Sequence, residues 1–145
     1  MPISDEAHYR LKLAEGFLDE SRQDAASQRW RACVDERQLA TENAAKAALA
    51  VVGPVGRTHD PAPLLRDALA DGLFPHGAEQ AVRRLAECAR LLGPAVHIQS
   101  DYGDEAAGRT PWELFDQVAA EHAGDLAEEA VKLARDILGV STPSA

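Results

Sequence analysis

The stretch from Arg29 to Asp60, RWRACVDERQLATENAAKAALAVVGPVGRTHD, most constrains what this chain can fold into. Trp30, Cys33, Val34, Arg37, Thr41, Ala44, Ala45, Ala48, Leu49 and Val52 recur at three- and four-residue steps. That period places them on one face of an α-helix running from about 28 to 52. Asp35, Glu36, Gln38, Glu42 and Lys46 fall between them and are expected mostly to face away. The alanines keep helix propensity high and let a neighbouring helix approach closely. Gly53 and Pro54 stop the helix, since glycine accepts a left-handed cap and proline cannot continue the hydrogen-bond ladder.

The remaining periods are also helical. Leu11, Ala14, Phe17, Leu18 and Ser21 predict a helix over 5–22, with Ser4 or Asp5 as N-cap and QDAASQ (23–28) as connector. After a loop holding three prolines and two glycines (53–63), Leu64, Leu65, Ala68 and Leu69 predict a short helix over 62–71. Ala78, Val82, Leu85, Cys88, Ala89 and Leu92 predict another over 77–92, ended by Gly93-Pro94. Residues 95–109 show no helical period and read as a long ordered loop in which only Val96-His97-Ile98 looks strand-like. Thr110-Pro111-Trp112-Glu113 is a capping box with proline at the first helical position. A last helix follows to about 138 on Phe115, Val118, His122, Leu126, Ala130, Leu133, Ile137 and Leu138, with Asp116 able to restart it after one turn. With no alternating run, the class is all-α. Short connections imply an up-down antiparallel bundle of about five helices in one domain, with residues 139–145 a frayed tail.

Composition narrows the function classes. The net charge of −9 argues against broad nucleic-acid binding, which relies on neutralising phosphates. No apolar run reaches the ~20 residues of a membrane span, and MPISDEAHYR lacks the apolar core of a secretory signal. A cytoplasmic protein is expected. Cys33 and Cys88 lie on apolar helix faces, as two buried free thiols or as a disulfide the fold does not need.

Most catalytic patterns are missing. Gly53-Pro54-Val55-Gly56-Arg57-Thr58 has too few residues between its glycines for a phosphate loop and follows a helix, not a strand. No Glu stands three residues before a His, as a di-iron bundle needs, and Asp5-x-x-His8 is the nearest match. Two lone cysteines do not make a zinc site, and no Gly-x-Ser-x-Gly elbow is present. No metal and no cofactor is therefore expected. His59-Asp60 before the third helix caps it or bonds a loop carbonyl, or else faces a ligand. His122 reads as a core histidine rather than a base. Arg90 and His97, six residues between them, form the one pair with catalytic character. The arginine could hold a phosphate bidentately and the histidine move a proton, cleaving RNA by attack of its 2′-hydroxyl. Arg29-Trp30-Arg31 and Arg83, Arg84 and Arg90 are small basic patches among acidic neighbours, better read as solvated faces.

Three features taken in order give the chain a family likeness. Glu42-x-x-x-Lys46-Ala47 lies in the alanine-rich helix. Arg57-Thr58-His59-Asp60 with Leu64-Leu65 forms the turn after it. Ser100-Asp101-Tyr102-Gly103-Asp104-Glu105 and Thr110-Pro111-Trp112-Glu113-Leu114-Phe115 precede the last helix. Together they resemble the HEPN domain family (higher eukaryotes and prokaryotes nucleotide-binding), as a stand-alone prokaryotic or archaeal member. The resemblance implies a compact helical bundle, often a homodimer, in nucleotide or RNA biology. Many members are encoded beside a minimal nucleotidyltransferase as toxin–antitoxin pairs. Catalytic members are RNases carrying an arginine, four to six residues, then a histidine, which Arg90 and His97 satisfy. Leu91 stands where a polar residue commonly follows the arginine, and Asp101 where an arginine is often seen. The resemblance thus implies a homodimeric, non-catalytic nucleotide-associated module with Arg57, His59, Lys46 and Tyr102 toward nucleotide or partner. A metal-independent RNase and a purely structural subunit are the alternatives.

Overall fold

The structure is a computed structural model, described for residues 4–140. Seven helical segments follow one another: α1 (Asp5–Ala26), α2 (Trp30–Val52), α3 (Pro61–Ala70), α4 (Glu79–Leu91), α5 (Pro94–Tyr102), α6 (Pro111–Leu114) and α7 (Gln117–Leu138). The described residues hold no strand, only an isolated bridge between Asp104 and Arg109, so the all-α expectation stands.

Local chemistry sets the ends. The Ser4 hydroxyl accepts from the Ala7 amide and starts α1. The Thr110–Glu113 capping box starts α6. Asp116 then accepts from the Ala119 amide and starts α7 afresh. Gly139 closes α7 in a left-handed conformation, and the Val140 amide bonds back to Arg135 O. These two residues are therefore tied down, whereas the expected frayed tail from Ser141 onward lies outside the described residues. Gly53 ends α2 in extended backbone (φ 163°), not as the expected left-handed cap. The connector expected at 23–28 is mostly helical, since α1 continues to Ala26.

α1 and α2 form an antiparallel hairpin. Ser4 Oγ donates to Ala50 O at one end, and Cys33 and Arg37 reach Ser21 at the other. α7 runs antiparallel to α1, as Glu15–Arg135 and Arg22–Glu128 show, so α2 and α7 share a direction in the up-down succession. One continuous core includes Leu11, Leu18, Val34, Leu65, Leu85 and Val131, with the alanines of α2 and α7 between them. Each fully buried leucine is worth about 1.5–3 kcal/mol relative to exposure.

α2 touches every other helix, and this overturns one expectation. Glu36, Gln38, Glu42 and Lys46 do not face away but are buried. Neighbouring helices cover most of α2 and leave it little solvent face to give them. Asp35 alone of that group is half-buried. Arg37, expected inward, is buried, with Nε on Ser21 Oγ (3.0 Å) and Nη1 on Ala120 O (2.6 Å). Gly124 leaves room for its guanidinium, since a Cβ there would stand 3.1 Å from it.

Three further expectations change. Residues 94–102 are helical, so the expected long loop shrinks to residues 103–110, and Val96-His97-Ile98 is not extended. Gly93 and Pro94 not only end α4 but start α5. Val118 and His122 are exposed, not inward: the first turns of α7, begun afresh at Asp116, bury Ala120 and Ala123 instead, while Leu126 and Ala130 face inward as expected. Cys33 and Cys88 are both free and buried. Among the described residues no helix is long and apolar enough to cross a membrane.

Candidate functional site

Arg31, Asp35, Glu42 and Lys46 are spaced four, seven and four residues apart, which aligns them along one face of α2. α5 lies beside this face and contributes His97, Ser100 and Asp101. The loop after α2 brings in His59. The result is a row of polar side chains where α2 meets α5 and the loop after α2.

Polar bonds dock α5 there. Arg31 Nη1 donates to Ser100 O at 2.9 Å. The Ser100 hydroxyl lies 3.1 Å from Asp35 Oδ1 and 2.8 Å from His97 O, and shares its one proton between them. Ser100 is the only buried residue of α5. Arg31 also stands 3.7 Å from Asp101 and 5.9 Å above the Trp112 ring.

His97 sits between two carboxylates. Nδ1 is 3.5 Å from Asp35 Oδ1, and Nε2 is 3.8 Å from Asp101 Oδ2. Nδ1 is buried yet makes no hydrogen bond. On the other side the His59 ring lies nearly parallel to that of His97, at 10° and 6.3 Å between centroids. His59 Nδ1 is 3.7 Å from Glu42 Oε2, which also receives the Lys46 ammonium at 3.1 Å.

Lys46, His59 and His97, three of the residues singled out from sequence, thus meet in one polar cluster. Lys46 is buried and engaged by Glu42, a pair whose opening would leave an uncompensated buried charge. His59 is exposed, and Arg57 is exposed two residues before it. Tyr102 lies on the outer face of α5, 68% exposed and one turn from the exposed Ile98. Arg90 bonds to none of these residues. It projects from α4 and forks onto Glu87 at 2.9 and 2.6 Å, and its donation holds the Glu87 carboxyl below the usual range. Arg84 is likewise forked on Glu129.

Asp35, Asp101 and Ser100 were not recognised as site residues from sequence. The available signal was Gly93-Pro94 as a start and Gly103 as a stop, which would have marked α5 as a helix. Asp35, His97 and Asp101 offer donor atoms all within 4.8 Å of one another, a metal-ligating type of set that no sequence spacing indicated. Glu20, Asp24 and Glu36 form a second such group between α1 and α2. There burial, then hydrogen bonding to Asp24, pushes the Glu36 carboxyl up to about 9, so it is protonated at neutral pH. The Arg29-Trp30-Arg31 patch lines a cleft of about 410 Å³ with Trp112 and Phe115 across from it. Trp112 had not been grouped with that patch.

The model of the HEPN domain family matches residues 7–141. No curated protein and no solved structure matches the chain. A family match over nearly the whole length, on an all-helical bundle with the expected turn between α2 and α3, leads to one conclusion: the chain belongs to the HEPN domain family.

Proposed function

We propose that this HEPN-domain protein is a non-catalytic, homodimeric module that binds a nucleotide, or a minimal nucleotidyltransferase partner in a toxin–antitoxin-like system. The observation that carries the non-catalytic part is the separate engagement of Arg90 and His97. Arg90 is neutralised by Glu87, and His97 is flanked by Asp35 and Asp101. A phosphodiester at His97 would meet two carboxylates and lack the Arg90 clamp, the opposite of what cleavage through an anionic transition state requires. The exposed ring of His59 offers a face for stacking a base, with Arg57 beside it for a phosphate.

The alanine-rich face of α2 does not support the dimer, since Ala40, Ala44, Ala45, Ala47, Ala48 and Ala50 are all buried within the chain. The outer face of α5, with Ile98 and Tyr102 exposed, is the better candidate interface.

Titration calorimetry with ATP and GTP tests the reading. Binding should weaken about tenfold or more in His59→Ala, the loss of roughly 1–3 kcal/mol of stacking. Heats that are absent in wild type would sink the nucleotide-binding part. RNA cleavage by wild type without added metal, lost in both Arg90→Ala and His97→Ala, would establish the RNase instead. A monomeric mass by light scattering at tens of micromolar would remove the dimer.

A further inference from the structure

We infer that Asp35, His97 and Asp101 form a binding site for a divalent transition-metal ion of the zinc type, with His59 as an auxiliary donor. The inference does not rest on nucleotide binding, although His59 belongs to both readings. It begins from the unpartnered His97 Nδ1, buried 3.5 Å from Asp35 Oδ1 without a hydrogen bond. An imidazolium holding two carboxylates would draw them to about 2.7–2.9 Å. Here they stand at 3.5 and 3.8 Å. Metal bonds of ~2.0–2.2 Å in a tetrahedral site put neighbouring donors roughly 3.3–3.5 Å apart. The Nδ1–Asp35 separation matches that spacing, and one donor atom of each residue lies within 4.8 Å of the other two.

The surroundings fit as well. Ser100 Oγ bonds Asp35 Oδ1 at 3.1 Å, and Arg31 stands 3.7 Å from Asp101, so both carboxylates are oriented from outside the set. Asp101 and His97 are 39% and 32% exposed, which leaves an entry path from solvent. A mixed imidazole and carboxylate set suits Zn²⁺ or Co²⁺ better than Mg²⁺, which prefers oxygen donors. His59, parallel to His97 and on an exposed loop, is the neighbouring imidazole best placed to turn toward the ion. The Glu20, Asp24 and Glu36 group carries no such inference, being carboxylates alone.

The test uses untagged full-length protein stripped with a chelator and titrated with Co²⁺ by visible absorption, then with Zn²⁺ in competition. The expected result is one ion per chain, abolished in His97→Ala. Asp35→Asn and Asp101→Asn should each weaken binding by about 100-fold, and His59→Ala by about tenfold, in the range seen for losses around metal sites. Glu36→Gln should leave it unchanged. Zn²⁺ added to wild type should also shift the imidazole protons of His97 and His59 but not those of His8, His76 and His122, a readout that does not depend on any variant folding. Failure of wild type to bind Co²⁺ or Zn²⁺ at tens of micromolar overturns the inference. So does binding that survives His97→Ala, that is lost in Glu36→Gln, or that Mg²⁺ matches.

Discussion

Gly103 joins α5 to the loop that leads into α6, and its replacement by alanine should be the most damaging glycine substitution in the chain. Its φ of 74° and ψ of −158° fall in a region reserved for glycine, where another residue costs about 1–3 kcal/mol. A Cβ would also clash with Arg109 O and press to 3.1 Å on Pro111. Both belong to backbone or ring that cannot turn away, because Asp104 and Arg109 bond each other in both directions, at 2.8 and 2.9 Å. Overpacking of this kind adds about 1–3 kcal/mol. A total near 2–6 kcal/mol lowers the melting midpoint by roughly 5–20 °C in a chain of this size. Two other glycines calibrate the result. Gly108 has φ of 68° but nothing within 4 Å of a Cβ, so Gly108→Ala should cost only the conformational strain, about 1–2 kcal/mol. Gly16 lies inside α1 with open space around it, so Gly16→Ala should stabilise by roughly 0.5–1 kcal/mol. Thermal melts of the three variants, with amide exchange read at Asp104 and Arg109, give the order directly. Gly103→Ala that melts and exchanges like Gly108→Ala would refute the steric argument.

Glu36 is protonated in the fold up to about pH 9 but ionises near the ordinary carboxylate value when unfolded. The unfolded chain then holds fewer protons over that window, so stability falls as pH rises from about 4.5 to 9. Glu36→Gln should therefore melt above wild type at pH 8, with the gap closing toward pH 4.5, and equal gaps at both pH values would refute it. Leu49→Ala should cost about 2–4 kcal/mol by denaturant titration, against well under 1 kcal/mol for the exposed Leu64→Ala. Burial pushes the Cys88 thiol up to about 11 and raises that of Cys33. Both should resist iodoacetamide at pH 7.5 in native protein and react on unfolding, as mass spectrometry would record.

The fold was legible wherever apolar period and capping chemistry coincide. Ser4, the Thr110–Glu113 box and Asp116 each mark a start that the structure keeps. α5 was not legible because its only buried residue is Ser100. A helix docked by a serine and by arginine and carboxylate bonds writes no hydrophobic period. The buried Glu42 and Lys46 were misplaced for a related reason. Period separates apolar from polar positions, but it cannot reveal that most of α2 is covered. Of the candidate site, Lys46, His59 and His97 were visible as chemistry-bearing residues. Their meeting with Asp35 and Asp101 depends on the turn after α2 and on α5, which only the folded chain brings together.

The stacking of Arg31 over Trp112 has an optical consequence. The chain has two tryptophans, and both line the same cleft at the α1–α2 turn, beside the arginine that tethers α5. Tryptophan emission therefore views the molecule from one end only. Loosening of α5 would register in the emission of Trp112, whereas fraying around α3 would be dark to it. An unfolding curve followed by fluorescence alone would thus measure the anchoring of α5, and its divergence from far-ultraviolet dichroism would show which end of the bundle opens first.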